Sequence, residues 1–103
     1  MFTGFTKHDL ESGRSWSVEL GEDRYGSEAG FAPRIGASEE DDGYLVTFVT
    51  DLAADRSEAV VIDAQDLEAG PVCRIMLPHR ISSGTHATWA HGEDIRAARA
   101  KRF

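Results

Sequence analysis

The sequence predicts an all-β protein built from meandering antiparallel strands. Three observations support this fold class. Apolar residues recur with a period of two, rather than 3.6, through most of the chain. The apolar runs are rich in β-branched and aromatic residues, and turn-forming residues interrupt them at short intervals. The length of 103 residues is about that of one small domain.

The N-terminal third predicts one hairpin and one short strand. The hairpin strands are expected near residues 2–8 and 15–20, and the turn between them contains Gly13, where a positive φ is often needed. Residues 31–34 are expected to form the short strand.

The middle of the chain predicts three further strands, near residues 44–51, 58–63 and 71–77. The first of these is apolar on both faces, which is typical of an interior strand. The short polar connector before residue 58 favours an antiparallel hairpin. In the last strand Pro71 stands at the start, where proline is tolerated. Alternation then places Cys73 and Arg74 on opposite faces.

The C-terminal part departs from the strand pattern. Residues 78–92 are expected to form a loop, and residues 93–102 a short helix with acidic residues early and basic residues late. Because this helix has few apolar anchors, we expect it to fray. We therefore divide the chain into a β segment, residues 1–92, and a tail, residues 93–103. The β segment resembles one to two blades of a propeller, which need neighbouring blades to cover their faces.

Composition excludes several function classes. Eighteen acidic against eleven basic residues give a net charge of −7, which argues against nucleic-acid binding because phosphate contacts need a basic surface. No apolar run is long enough for a transmembrane segment. A single cysteine gives no sign of an oxidising compartment, and arginine greatly outnumbers lysine, as in GC-rich genomes. We expect a cytoplasmic protein of bacterial origin.

The residues taken singly indicate little chemistry. The histidines His8, His79, His86 and His91 show no helical zinc spacing. Cys73 is expected to be a packed, inert thiol. The acidic run at residues 39–42 lacks the spacing of a calcium loop and is expected to be a solvated turn.

Five short motifs, in a fixed order and spacing, resemble those of a known protein family. They are Ser27-Glu28-Ala29-Gly30-Phe31-Ala32-Pro33, Glu39-Glu40-Asp41-Asp42-Gly43, Asp63-Ala64-Gln65-Asp66-Leu67, Leu77-Pro78-His79-Arg80 and Gly84-Thr85-His86-Ala87-Thr88-Trp89. In this order and spacing, over about residues 5–90, the chain resembles the C-terminal part of the carotenoid cleavage oxygenases, a family that includes the lignostilbene dioxygenases. Ala29 is a departure, because the family usually has proline there.

The resemblance implies a specific chemistry. Family members are seven-bladed β-propellers in which four histidines bind one iron(II) and nearby glutamates orient three of them. By the motif match His86 is the last of these ligands, and Glu28 is a glutamate that supports the metal site. The implied reaction is cleavage of a C=C bond in a carotenoid, an apocarotenoid or a stilbenoid, with O2 as co-substrate. His79 and His91 are expected to be structural and solvated, respectively.

The other three histidine ligands have no counterpart in this chain. We therefore expect it to be the C-terminal portion of a longer enzyme, with the upstream propeller as its partner, and to be inactive alone. Two alternatives stay open. In the first, the chain is a stand-alone or truncated β domain that acts as a non-catalytic interaction module. In the second, several copies self-associate and each donates His86 to a shared metal.

Overall fold

Seven antiparallel strands dominate the computed structural model, which describes residues 1–101. The strands are β1 (Gly4–His8), β2 (Ser15–Glu19), β3 (Arg24–Gly26), β4 (Gly30–Pro33), β5 (Gly43–Asp51), β6 (Arg56–Asp63) and β7 (Pro71–Met76). A 3₁₀ turn at Leu67–Ala69 precedes β7, and one helix, α1, covers Gly92–Ala100. The predicted all-β class is confirmed.

The strands form two sheets. β1 and β2 make a separate antiparallel hairpin, and the turn between them has Gly13 at φ +75°, as predicted. In the larger sheet β3 and β4 lie end to end along one edge of β5, followed by β6 and β7. The sheet is therefore four strands wide, which is the width of a propeller blade.

The hairpin packs on one face of the larger sheet and forms the core there. Two residues at the end of the hairpin pack against residues of β5, β6 and the 3₁₀ turn. The resulting core comprises Val18, Leu20, Val49, Val60, Ile62 and Leu67. Alternation explains this, since every second side chain of a strand points to one face. The predicted interior position of β5 is confirmed, because it pairs on both edges.

The opposite face of the larger sheet carries a row of apolar side chains that is only partly covered. Register places Phe48, Ala59 and Ile75 side by side, and Val46, Val61 and Cys73 beside them. We call this set, without the buried Ala59, the open face. Phe48, Cys73 and Ile75 are exposed there. The prediction that Cys73 is a packed thiol was wrong, because β7 is the outer strand of the sheet and nothing in the described chain covers this residue.

Two further differences concern the elements. The sequence did not predict β3, since Arg24–Gly26 is too short for a hydrophobic period and forms by pairing with β5. Helix α1 begins at Gly92, one residue before the prediction, and has no buried residue. Its predicted end at Arg102, like the end of the tail at Phe103, lies outside the described residues. No helix among residues 1–101 has both the length and the apolar character that crossing a bilayer requires.

Candidate functional site

The candidate site begins at a β-bulge between β3 and β4. Gly26 pairs with Val49 and Gly30 pairs with Val46, so three residues on one side oppose two on the other. Bulges bend a strand and redirect one side chain out of the regular alternation. The redirected residue is Glu28, at the middle of the bulge.

Glu28 reaches across to the C-terminal loop and contacts His86. The Nδ1 atom of His86 lies 2.9 Å from Oε2 of Glu28, and the backbone N–H of Ala87 donates to the same oxygen at 3.3 Å. The loop passes close to the sheet at this point, since a Cβ atom added to Gly30 would lie 3.5 Å from the carbonyl carbon of Thr88 and 3.6 Å from the backbone nitrogen of Trp89. The structure thus brings together two residues that are 58 positions apart in sequence.

The contact fixes which nitrogen of the imidazole is free. An ionised carboxylate only accepts hydrogen bonds, so Nδ1 of His86 carries a proton and donates a hydrogen bond to Glu28. In the neutral imidazole the lone pair of Nε2 is then available, and the His86 side chain is 91% exposed. A histidine whose far nitrogen is held by a carboxylate is the usual arrangement of a metal-ligating imidazole. One such histidine offers a single ligand.

The other histidines lie elsewhere. His8 ends β1, His79 follows β7, and His91 precedes α1; all three are exposed. Among residues 1–101 no three His, Cys, Asp or Glu side chains converge as a metal would require. The acidic run is more engaged than predicted, because Asp41 pairs with Lys7 and Asp42 with Arg34. The hydrogen bond from Lys7 holds the pKa of Asp41 below its usual value.

A small groove opens beside Glu28. It has a volume of about 340 Å³ and is lined by Phe2, Phe5, Thr6, Glu28, Ala29 and Leu45. Apart from Thr6 and Glu28 these side chains are apolar, so the groove places hydrocarbon surface next to the candidate metal ligand's carboxylate partner. A larger groove, of about 730 Å³, lies between the hairpin and the acidic run and contains neither Glu28 nor His86.

The sequence did not predict the structural roles of two sets of residues. Ser27 and Thr47 bond to each other's strands at the bulge, and no sequence signal marks a bulge of this kind. Glu58 on β6, with no exposed surface, is held by Arg24 of β3 and Arg74 of β7. Burial by itself would raise the pKa of Glu58, but the hydrogen bonds from the two arginines outweigh it and leave that pKa lowered. The sequence signal that could have revealed this ion-pair cluster is an acidic residue, Glu58, at a position of β6 that alternation places on the core face.

Comparison with known proteins identifies the family. Residues 1–91 match the family model described as retinal pigment epithelial membrane protein. The chain is 49% identical over 77 residues to the carotenoid 9,10(9',10')-cleavage dioxygenase 1 of Arabidopsis thaliana, covering 75% of this chain and 14% of the relative. It is 42% identical over 65 residues to the lignostilbene-α,β-dioxygenase isozyme III of Sphingomonas paucimobilis, covering 63% of this chain and 13% of that relative.

A solved structure agrees with these matches. The cobalt-substituted apocarotenoid oxygenase of Synechocystis superposes with a TM-score of 0.79 at 35% identity, over 85% of this chain and 18% of the other. The chain therefore spans less than a fifth of the length of the relatives it matches. The sequence match over residues 1–91 and the shared fold lead to one conclusion: the chain belongs to the retinal pigment epithelial membrane protein family, the family of the carotenoid cleavage oxygenases.

Proposed function

We propose that this chain is the C-terminal part of an iron(II)-dependent dioxygenase that cleaves a C=C bond of a carotenoid, an apocarotenoid or a stilbenoid. The observation that carries the proposal is the hydrogen bond between Glu28 and Nδ1 of His86. Relatives named as carotenoid, apocarotenoid and lignostilbene oxygenases support the reaction class. A cobalt-substituted neighbour supports a metal site in the complete enzyme.

The residues present fit one ligand position of an iron site. Neutral imidazole is a suitable ligand for iron, and Nε2 of His86 is free to serve. Glu28 holds the proton on Nδ1, fixes the ring orientation and raises the basicity of the ligating nitrogen. Ferrous iron, when bound, supplies the redox chemistry that oxidative cleavage of an alkene needs. His86 is one of four histidines in this proposal, and the other three come from outside residues 1–101.

The surroundings of Glu28 support an apolar substrate. The groove lined by Phe2, Phe5 and Leu45 presents hydrocarbon at the carboxylate partner of His86. A polyene or a stilbene has little polar surface, and such a surface is favourably removed from water against these side chains. Burial of this kind would hold a double bond near the metal without requiring a charged contact.

The remainder of a propeller is the partner that the structure favours. One edge of β1 pairs with β2, and among residues 1–101 the other edge pairs with no strand. The open face adds uncovered apolar side chains on the larger sheet. Both features are what a blade and a half would show without its neighbours. We further propose a cytoplasmic location and a bacterial source, as composition indicates, and we expect no cleavage activity from the isolated chain.

A chimera tests this proposal. Residues 1–91 replace the homologous segment of the Synechocystis apocarotenoid oxygenase, an enzyme for which chimeras with a family member have been solved. Iron per chain is measured by elemental analysis, and cleavage of an apocarotenoid is followed by loss of polyene absorbance. We expect iron and turnover to be retained. A folded chimera with the iron content of a metal-free control would contradict the proposal.

A further inference from the structure

The bulge that carries Glu28 is held by two buried hydroxyl groups. Thr47 has no exposed surface and Ser27 is 8% exposed. Buried hydroxyls are costly unless they are hydrogen-bonded. Both are bonded in this structure, and every bond they make lies within the bulge or the strand that faces it.

These hydroxyls replace a bond of the regular ladder. Ser27 and Phe48 stand opposite each other, and the N–H of Ser27 donates to the carbonyl of Phe48 at 2.9 Å. In a regular antiparallel pair the N–H of Phe48 would donate to the carbonyl of Ser27 in return. Instead it donates to Oγ of Ser27 at 3.2 Å, and the freed carbonyl of Ser27 accepts from Oγ1 of Thr47 at 2.8 Å.

These hydroxyl hydrogen bonds, which take the place of one backbone hydrogen bond of the ladder, fix the backbone immediately before Glu28. With the carbonyl of Ser27 turned to Thr47, the following peptide is set apart from the ladder and the Glu28 side chain leaves the sheet toward His86. We propose that Ser27 and Thr47 are positioning residues, whose hydroxyls lock the bulge and thereby aim the Glu28 carboxylate at Nδ1 of His86.

Space around the bulge restricts how it can relax. A Cβ atom on Gly26 would lie 2.8 Å from Leu20 and 3.2 Å from Oγ1 of Thr47, so the strand and the hydroxyl are closely packed. A support of this kind matters because a site loses function when its supporting groups let it move by about 1 Å. The effect of the two hydroxyls on metal binding rests on the proposed function, whereas their effect on the His86–Glu28 contact does not.

The test uses the tautomer of His86 in the 103-residue chain. Long-range ¹H–¹⁵N spectra at a pH where imidazoles are neutral distinguish protonated from unprotonated ring nitrogens. In the wild type we expect Nδ1 of His86 to be the protonated nitrogen. Thr47→Val removes the hydroxyl and keeps the shape, and we expect His86 to lose its preference for the Nδ1–H form. Thr47→Ser restores the hydroxyl and should restore the preference.

Thr50→Val is the matched control, because Thr50 is also buried on β5 and its side chain makes none of the bonds at the bulge. It should leave the His86 resonances unchanged, and the resonances of His8, His79 and His91 should be unchanged in every variant. A folded Thr47→Val chain with the wild-type His86 tautomer would overturn the inference. So would a wild type without the Nδ1–H form. Should Thr47→Val not fold, Ser27→Ala removes the other hydroxyl and carries the same comparison.

A second arm separates the positioning role from the proposed function. In the chimera with the Synechocystis enzyme, Thr47→Val should lower iron occupancy at limiting iron, and Thr50→Val should not. A chimera that binds no iron contradicts the proposed function but leaves the tautomer result standing. An iron-loaded chimera in which Thr47→Val changes neither occupancy nor tautomer overturns the positioning role and leaves the proposed function intact.

Discussion

At the scale of single residues, Glu58 is a buried carboxylate that forms ion pairs with two arginines. Its carboxylate has no exposed surface and lies between Arg24 of β3 and Arg74 of β7, with Arg74 donating through Nη2 to Oε2 at 2.9 Å. The hydrogen bond to Glu58, together with the charge of that carboxylate, raises the pKa of Arg74. Three strands are therefore joined by one buried charge, which is favourable only while both arginines remain in place.

We predict that Glu58→Gln destabilises the chain at neutral pH. Without the Glu58 carboxylate, Arg24 still pairs with Asp51 and Arg74 stays partly exposed, so we expect a loss of about 1.5–3 kcal/mol, the usual contribution of hydrogen bonds to charged groups. The folded-state pKa of Glu58 is lowered. Its stabilising contribution is therefore complete above the ordinary glutamate pKa of about 4.3 and is lost as pH falls through the lowered value.

Urea unfolding of the wild type and Glu58→Gln between pH 7 and pH 3 measures this difference. The gap in the free energy of unfolding should be constant above about pH 4.3 and should narrow below it, since glutamine mimics the protonated acid. Glu68→Gln, at an exposed position, is the control and should change little. Equal stability of wild type and Glu58→Gln at pH 7 would contradict the role assigned to this residue.

At the scale of elements, the close pairing of β4 with β5 holds the strand that follows the bulge. Gly43 lies opposite Pro33, and a Cβ atom there would overlap the carbonyl oxygen of Ala32 and would lie 2.8 Å from Cα of Pro33. Both obstacles are backbone atoms, which cannot rotate away as a side-chain end can. The strands must separate to admit even one methyl group.

We therefore predict that Gly43→Ala destabilises the fold by about 1–3 kcal/mol, the usual cost of overpacking. Thermal unfolding followed by circular dichroism measures the loss. Gly84→Ala is the matched control, since a Cβ atom at Gly84 meets nothing within 4 Å. If both variants melt at the wild-type temperature, the close approach of β4 and β5 is not a constraint on the fold.

The sequence predicted the strands that are marked by apolar alternation or by turn residues within their own segment. β5 and β6 follow from alternation in long apolar runs, and the hairpin follows from the turn at Gly13. β3 was not predictable in this way, because three residues carry no period and form a strand only where β5 offers an edge. The exposure of Cys73 likewise depends on which strand ends the sheet, and this is a property of the tertiary arrangement.

The site was predictable only through the family motifs. His86 and Glu28 are 58 residues apart, and nothing in the local sequence of either joins them. Their contact depends on the bulge, which shifts the register by one residue between Gly26 and Gly30. Ser27 and Thr47 stayed hidden for the same reason, because hydroxyl residues are common in strands and their bonds appear only when the register is known.

At the scale of the whole molecule, the open face determines how the chain behaves by itself. Phe48 and Ile75 are about half-exposed and adjacent across β6. We predict that the isolated chain self-associates through this face. Phe48→Ser combined with Ile75→Ser should weaken association about tenfold or more, since each side chain contributes on the order of 1 kcal/mol of apolar burial.

Sedimentation velocity over a range of concentrations measures this association. Ile35→Ser is the control, because Ile35 is fully exposed in a loop between β4 and β5 and is not part of the open face. It should leave the association unchanged. A wild-type chain that stays monomeric at all concentrations would contradict the prediction.

The most direct test of the central claim is the iron content of the chimera after substitution of its histidines. We predict that His86→Ala loses most of the iron, whereas His79→Ala and His91→Ala keep the wild-type ratio of iron to chain. Glu28→Gln should weaken iron binding about 10–100-fold, as expected for loss of a ligand's carboxylate partner. Equal loss in all three histidine variants would indicate misfolding. Full iron retention by His86→Ala would contradict the assignment of His86 as a ligand.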